Sequence, residues 1–363
     1  MRTIKVHLKD RSYDILIGRG LLKKSGAIIK RLDVGNYAVC ITNASLLKLY
    51  GNVLRKTLEK SGIPVRFEMV PDSEKAKSEG VATSLIRRIS SYDKRKNIFI
   101  INFGGGVVGD VGGFVASVYK RGIPYVQIPT TLLAQVDSAI GGKVAIDLPI
   151  AKNLVGSFYQ PRLVISDTGL ISSLPHRQIS SGLAEIIKYG VIKDRTLFAF
   201  LERNHKKILR CDNASLEYIV SASARIKAKV VEQDEFDRTG KRAILNFGHT
   251  IGHAIEAAAK YSNRYNHGEA VAIGMSGSCG IARRLGLISQ KDAGRIISLI
   301  AALGLPTKAK GVRLQAVYNA HLHDKKFIHG KNRFVLPVRV EKVKIVEGVP
   351  DAVIRAVLKE EIL

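Results

Sequence analysis

The stretch from Leu245 to Glu256, Leu-Asn-Phe-Gly-His-Thr-Ile-Gly-His-Ala-Ile-Glu, sets His249 and His253 four residues apart, one helical turn, on one face. A third histidine, His267, opens a further helical run in Tyr265-Asn-His-Gly-Glu-Ala-Val271. Imidazoles gathered beside an apolar helix suit a divalent metal. On spacing alone, helix capping and hydrogen bonding account for one or two of them equally well. A carboxylate, Glu185, lies within the otherwise apolar run Ser181-Gly-Leu-Ala-Glu-Ile-Ile-Lys-Tyr-Gly190. A buried carboxylate needs a partner, and a metal or a cation is the usual one.

A second chemical cluster is glycine-rich. Gly104-Gly-Gly-Val-Val-Gly-Asp-Val-Gly-Gly113 follows an apolar strand and precedes a helix. Such a turn lets backbone N–H groups approach a pyrophosphate. The spacing is not Gly-x-Gly-x-x-Gly with an acid about 20 residues on, so the common dinucleotide fingerprint is not met. Tight strand–helix packing explains the same glycines. Lys143, after Gly141-Gly142, and Lys152, before Asn153-Leu-Val-Gly156, suit phosphate or carboxylate binding. A hairpin with exposed lysines accommodates both.

The elements that must position these residues alternate. Strands are read at Tyr37–Thr42, Val65–Val70, Ile98–Phe103, Tyr125–Ile128 and Leu163–Asp167. Helices fall between them, at about 21–30, 46–61 and 78–91. This alternation predicts a parallel sheet with helices on both faces. From Leu174-Pro175 onward the pattern is helical, with helices near 194–209, 214–232, 268–285, 288–303 and 350–361. At 363 residues the chain exceeds one ordinary core. Two domains are expected, 1–175 and 176–363.

Composition narrows the classes. No run of 18 or more apolar residues appears, so no membrane span is expected. The start, Met1-Arg-Thr-Ile-Lys-Val-His-Leu8, alternates like a strand and not like a signal peptide. Cys40, Cys211 and Cys279 are odd in number and far apart, which fits plain thiols in a reducing cytoplasm. The net charge of +27 invites an anionic partner. The cations are scattered, though, and no basic run is interleaved with aromatics. The charge is therefore read as solvated surface with a few cations kept for a phosphate, and no nucleic-acid partner is expected.

Taken together, Gly-Gly-Gly-Val-Val-Gly-Asp (104–110), Pro-Thr-Thr (129–131), Gly-Gly-Lys-x-Ala-Ile-Asp (141–147), Lys-Asn-Leu-Val-Gly (152–156), Gly-Leu-Ala-Glu-Ile-Ile-Lys-Tyr-Gly (182–190) and the 245–256 stretch resemble the 3-dehydroquinate synthases, almost end to end. The resemblance implies an α/β N-terminal nucleotide-binding domain and an all-α C-terminal metal domain, with the active site between them. It implies conversion of 3-deoxy-D-arabino-heptulosonate 7-phosphate to 3-dehydroquinate and phosphate, in the shikimate pathway. The implied steps are transient oxidation by catalytic NAD, phosphate elimination, re-reduction, ring opening and aldol closure.

The resemblance also assigns residues. It places a divalent metal, zinc or cobalt, on Glu185, His249 and His267, with His253 an active-site residue and not a ligand. NAD would bind at Asp72, Ser73, Glu74, Lys75, Ala76 and Lys77, at Gly106, Val107, Val108, Gly109 and Asp110, and at Thr130, Thr131, Lys143 and Lys152. Leu170, Ile171, Ser172 and Ser173 complete that set. Catalysis would fall to Lys143, Lys188, Lys227, Arg242, Asn246 and His253. Asp137, Asn153 and Lys325 join these as substrate contacts, and Arg121 matches a residue that family dimers reach across with, so a homodimer is implied.

Three features depart from the family pattern, one of them a slightly long loop before His267. Leu170-Ile-Ser-Ser-Leu-Pro175 stands where Phe-Leu-x-Thr-Leu-Pro is common, and one extra residue lies between Lys227 and Arg242 near Thr239-Gly240. Other sugar-phosphate cyclases, such as 2-deoxy-scyllo-inosose or sedoheptulose 7-phosphate cyclases, would share the metal and NAD sites. Arg242, Asn246 and His323–Lys326 favour dehydroquinate synthase. Iron-type alcohol dehydrogenases share the architecture, but differ after the glycines from Val107-Val-Gly-Asp110.

Overall fold

The computed structural model describes residues 1–322 and 331–363. Lys325 and the 323–326 segment lie outside the described residues. The chain forms two compact units, Met1–Leu174 with Leu216–Phe236, and Pro175–Ser215 with Asp237–Leu363.

The first unit is built on β1 (Arg2–Val6), β2 (Tyr13–Gly18), β3 (Tyr37–Thr42), β4 (Val65–Met69), β5 (Ile98–Gly104), β6 (Tyr125–Pro129), β7 (Lys143–Leu148), β8 (Ala151–Phe158) and β9 (Leu163–Asp167). Seven strands form one sheet in the order β1-β2-β9-β6-β5-β3-β4. Only the β1–β2 pair is antiparallel; the other pairings are parallel. Every residue of β5, β6 and β9 is buried, as strands covered on both faces must be. That is why they read as unbroken apolar runs.

On one face, Val108, Val111 and Val115 of the helix Gly106–Val118 pack with Leu85 and Ile89 of the helix Glu79–Ser90. On the other, Leu54 and Leu58 of the helix Asn52–Lys60 pack with Ile29, Phe99 and Phe103. β3 is flanked by β4 on one side and β5 on the other. The strand order therefore reverses between β3 and β5, and their carboxyl ends, Thr42 and Gly104, border the crevice where open α/β sheets bind ligands. β7 and β8 form a separate antiparallel hairpin.

The expected single division near residue 175 differs from the structure. Most of the helix Asn213–Gln233 belongs to the first unit. Glu232 Oε1 accepts the His7 N–H at 2.8 Å, and Arg11 binds both oxygens of Glu235 at 3.0 and 2.9 Å. Helical periodicity reports which face is apolar, not which core receives it.

The second unit centres on the helices His176–Lys193 and His267–Arg284, buried along most of their length. Glycines let the backbones touch. A Cβ on Gly274 would lie 1.9 Å from the Gly248 carbonyl oxygen, and one on Gly268 would lie 2.3 Å from that of Ser181. These contacts draw the helix His249–Ala258 and the helix His176–Lys193 against the helix that begins at His267. Asn266 and Glu269 close a capping box at that helix's start, fixing where the chain enters. The unit is not wholly helical as expected. Strands β10 (Arg333–Arg339) and β11 (Lys342–Glu347) pair as an antiparallel hairpin, with an irregularity between Pro337 and Arg339. Proline has no N–H to give the ladder there, and the proline-broken run masked the strand in the sequence. Among the described residues no helix is long and apolar enough to cross a membrane.

Candidate active site

Glu185, His249 and His267 each present one ligand atom, all within 4.8 Å of one another. Glu185 is fully buried; Nε2 of His249 lies 3.5 Å and Nε2 of His267 3.6 Å from its Oε1. Its other oxygen, Oε2, is taken by the ammonium of Lys188, one turn along the same helix and itself buried. The two histidines turn their remaining nitrogens elsewhere. Nδ1 of His249 is 3.1 Å from the Phe247 carbonyl oxygen, and Nδ1 of His267 is 3.5 Å from Glu256 Oε2.

Both Nε2 atoms therefore face one carboxylate oxygen, an N₂O donor set for a borderline-soft divalent metal. Burial opposes the charged form of His267, but Glu185 and Glu256 outweigh it and raise the imidazole to about 10. The pocket favours positive charge, which a divalent cation can supply in place of a proton.

His253 is exposed, its ring centroid 5.3 Å from that of His249 and 6.1 Å from that of His267. It also forms a looser trio with Glu256 and His267. Arg242 is buried on the short helix Lys241–Asn246, which ends three residues before His249 with Asn246 as its last member.

In the first unit a different cluster gathers residues remote in sequence. The Lys77 ammonium is buried, donates to Asp110 Oδ2 at 2.8 Å and bonds the Asn153 side-chain oxygen. It lies 3.9 Å from Asp147 and 4.0 Å from Glu74, and Lys152 reaches Glu74 at 3.3 Å. Burial pushes the Asp110 carboxyl up to about 6 against the pull of Lys77. For Lys77, burial favours loss of the proton, but Asp110, Glu74 and Asp147 together hold its pKa above the ordinary lysine value. Asp147 also accepts the Asn153 N–H at 2.8 Å. Asp72 Oδ1 takes the Asn43 amide at 2.8 Å, just past the end of β3.

The glycine turn divides in two. Gly105 precedes the helix Gly106–Val118 with no side-chain cap, so the first-turn N–H groups are presented by bare backbone. The Thr130 N–H donates to the Gly104 carbonyl at 3.0 Å and sets Thr130 and Thr131 beside the turn. Gly112 and Gly113 are packing residues: a Cβ there would lie 1.9 Å from the Asn102 amide oxygen and 2.3 Å from Val144. Packing thus accounts for Gly112 and Gly113, while Gly105 and Gly106 stand at the uncapped helix start.

Other expected residues are placed as follows. Lys227 is buried and holds both the backbone oxygen and Oδ1 of Asp137 at 2.7 Å. Lys143 opens β7, exposed, with Nζ 5.7 Å from the Phe158 ring centroid. Leu170 and Ile171 are core residues, and the Ser172 and Ser173 hydroxyls donate within their own short helix, Thr168–Ser173. Arg121 is exposed on a left-handed turn before β6.

Residues 67–181 match the family model of the 3-dehydroquinate synthase N-terminal region, and 182–327 that of its C-terminal region. A 3-dehydroquinate synthase of Pelotomaculum thermopropionicum is 45% identical over 349 residues, 96% of this chain and 94% of that protein. One of Desulforamulus reducens is 44% identical over 99% of this chain and all of that protein.

This chain belongs to the 3-dehydroquinate synthase family.

Among solved structures it superposes on 2-deoxy-scyllo-inosose synthase complexed with carbaglucose-6-phosphate, NAD+ and Co2+ at a TM-score of 0.89 and 27% identity, covering 99% of this chain and 100% of that one. A 2-epi-5-epi-valiolone synthase from Streptomyces hygroscopicus, with NAD+ and Zn2+ bound, gives 0.88 and 26% over 98% of each chain. A glycerol dehydrogenase from Schizosaccharomyces pombe, at 0.69 and 19%, covering 95% of this chain and 88% of that one, shares the fold alone. Within this frame two side chains stand out that the motifs did not single out. Glu256, three residues after His253, touches His267, and Asp147, at the end of the 141–147 motif, joins Lys77 and Asn153. Each closes a motif already recognised for its other members.

Proposed function

We propose that this chain is a 3-dehydroquinate synthase, converting 3-deoxy-D-arabino-heptulosonate 7-phosphate to 3-dehydroquinate and phosphate in the shikimate pathway. The observation that carries this is identity above 40% to synthases matched over nearly their whole length. It is supported by a buried carboxylate facing two imidazole Nε2 atoms in the same chain.

Glu185, His249 and His267 would hold zinc or cobalt, leaving coordination positions open for substrate hydroxyls. NAD would lie on the first unit, along Asp72–Lys77, Gly106–Asp110, Thr130, Thr131, Lys143, Lys152 and 170–173. When bound, the metal supplies a Lewis acid and the nicotinamide a reversible hydride acceptor.

The chain's own residues do the rest. Lys188 holds Oε2 of Glu185 and so directs Oε1 to the histidines. Glu74, Asp110 and Asp147 keep Lys77 charged beside the glycine turn, where a pyrophosphate needs a cation. Lys152, Lys188, Lys227 and Arg242 supply positive charge for the substrate's phosphate and carboxylate. Asp137 and Asn153 complete that binding set, with Lys325 as a further cation. Asn246 and His253 flank the His249 turn, where they can hydrogen-bond substrate hydroxyls. Arg121 would complete the site in a homodimer, and the enzyme would work in the cytoplasm.

The test measures phosphate and NADH together. Metal-loaded protein with NAD should release phosphate stoichiometrically from the heptulosonate phosphate and from neither sedoheptulose 7-phosphate nor glucose 6-phosphate. Absorbance at the NADH wavelength should stay near baseline, as expected of a cofactor that would be regenerated and not consumed. One NADH per turnover would instead make the chain a dehydrogenase.

A further inference from the structure

The looser trio of His253, Glu256 and His267 shares an imidazole with the proposed metal ligands. His267 offers Nε2 toward Glu185 at 3.6 Å and Nδ1 toward Glu256 at 3.5 Å. A neutral imidazole carries one N–H and one lone pair. If Nε2 gives its lone pair to a metal, Nδ1 must carry the hydrogen, and a second metal on Nδ1 would require an imidazolate. The burial of the two groups decides which nitrogen is the ligand. Glu185 is fully buried and His249 12% exposed, whereas His253 is exposed and Glu256 partly so. A dry, charge-compensated pocket binds the cation more strongly than a wet one.

Resting on the metal site proposed above, we propose that Glu256 is the positioning residue of the centre: its carboxylate accepts the Nδ1–H of His267 and fixes the tautomer and ring orientation that aim Nε2 at the metal. His249 has the same device in a different form, since its Nδ1 faces the Phe247 carbonyl. One ligand is thus oriented by the backbone of its own turn. The other is oriented by a side chain from the helix His249–Ala258, which also carries the first ligand. His267 is the first residue of its helix, so no preceding helical turn holds its ring, and an external acceptor has to do so. Through this contact the two helices lock their ligands to each other.

Metal affinity of the full-length protein, measured by competition with a chromophoric zinc chelator, tests this without reference to turnover. Glu256→Ala should weaken zinc binding by about 10–100-fold, with the metal-free protein unfolding at the same urea concentration as wild type. Glu256→Gln keeps an oxygen acceptor of the same size, so it should recover part of the loss and bind zinc about 2–10-fold more weakly than wild type. It also carries the test if the alanine variant fails to fold: wild-type affinity in Glu256→Gln would overturn the proposal, as would unchanged affinity in Glu256→Ala. A loss in Glu256→Gln as large as in Glu185→Gln would overturn it differently, by making Glu256 a ligand. If Glu185→Gln itself binds zinc like wild type, the metal centre is misassigned and the inference falls with it.

Discussion

Replacing two glycines of one turn separates packing from ligand approach. Gly112 sits inside the helix Gly106–Val118, where a Cβ would be 1.9 Å from the buried Asn102 amide oxygen. No real Cβ contact is that short, so Asn102 or the helix must shift by more than about 1 Å. Moving Asn102 also breaks its 3.3 Å bond to the Gly109 carbonyl. Overpacking costs about 1–3 kcal/mol and the lost hydrogen bond about 1 more, while alanine recovers about 1 in helix propensity. Gly112→Ala should therefore destabilise the protein by about 1–3 kcal/mol. At Gly106 the nearest atom to a new Cβ is Ser138 Oγ at 3.0 Å, which can rotate aside, so stability should change by less than about 1 kcal/mol. Its methyl would stand where the proposed pyrophosphate approaches the backbone. NAD affinity should fall at least about tenfold, or about 1.4 kcal/mol. Urea unfolding and calorimetric NAD titration measure the two quantities. The reasoning fails if Gly106→Ala binds NAD like wild type, or if Gly112→Ala unfolds at the wild-type midpoint.

Other outcomes follow from the remaining contacts. Chelator treatment should abolish phosphate release and zinc or cobalt restore it; full activity in metal-stripped His267→Ala would remove the metal from the mechanism. Lys227→Met, which takes the cation from Asp137, should weaken binding of a non-hydrolysable phosphonate analogue by about 1.5–3 kcal/mol while leaving NAD affinity unchanged, and a joint fall in both would assign Lys227 to stability. Burial raises Glu361 from the usual 4.5 to about 7. The folded state thus holds a proton that the unfolded state has released, and this group's contribution to stability declines as pH rises from about 4.5 to 7. Glu361→Gln should accordingly stabilise at pH 8 and leave the unfolding midpoint unchanged at pH 4; equal effects at both would show that its titration is irrelevant.

The parallel sheet was legible because Ile98–Phe103, Tyr125–Ile128 and Leu163–Asp167 are covered on both faces, and double coverage leaves an apolar run with no polar interruption. The candidate metal site was half legible. His249 and His267 stand at recognisable motif positions, and Glu185 betrays itself as a charge in an apolar helix. What faces their remaining nitrogens does not appear in the spacing. The Phe247 carbonyl is backbone and carries no sequence signature. Glu256 reads as one more exposed helical acid until the helix beginning at His267 is packed against it. Gly112 and Gly106 look alike in the sequence; only the structure shows that a Cβ at Gly112 would meet Asn102 at 1.9 Å, whereas one at Gly106 would meet Ser138 Oγ at 3.0 Å. In the β10–β11 hairpin, Pro337 interrupts the alternation of β10, whereas Lys342–Glu347 of β11 keeps it and could have been read as a strand.

The return of Leu216–Phe236 to the first unit bears on how the molecule is made. A chain emerging from the ribosome delivers β9 long before Glu232 and Glu235, yet the edge formed by His7 and Arg11 is completed only by those two acids. The amino-terminal body cannot close when its last strand appears. It must wait for some 70 further residues, including helices that belong to the other body. The two bodies are thus interleaved in synthesis order, and neither matures as a finished bead before the other begins. A fragment stopped at residue 175 would expose the surface that Leu216–Phe236 covers, making it a poor stand-alone domain and a target for chaperones or proteases.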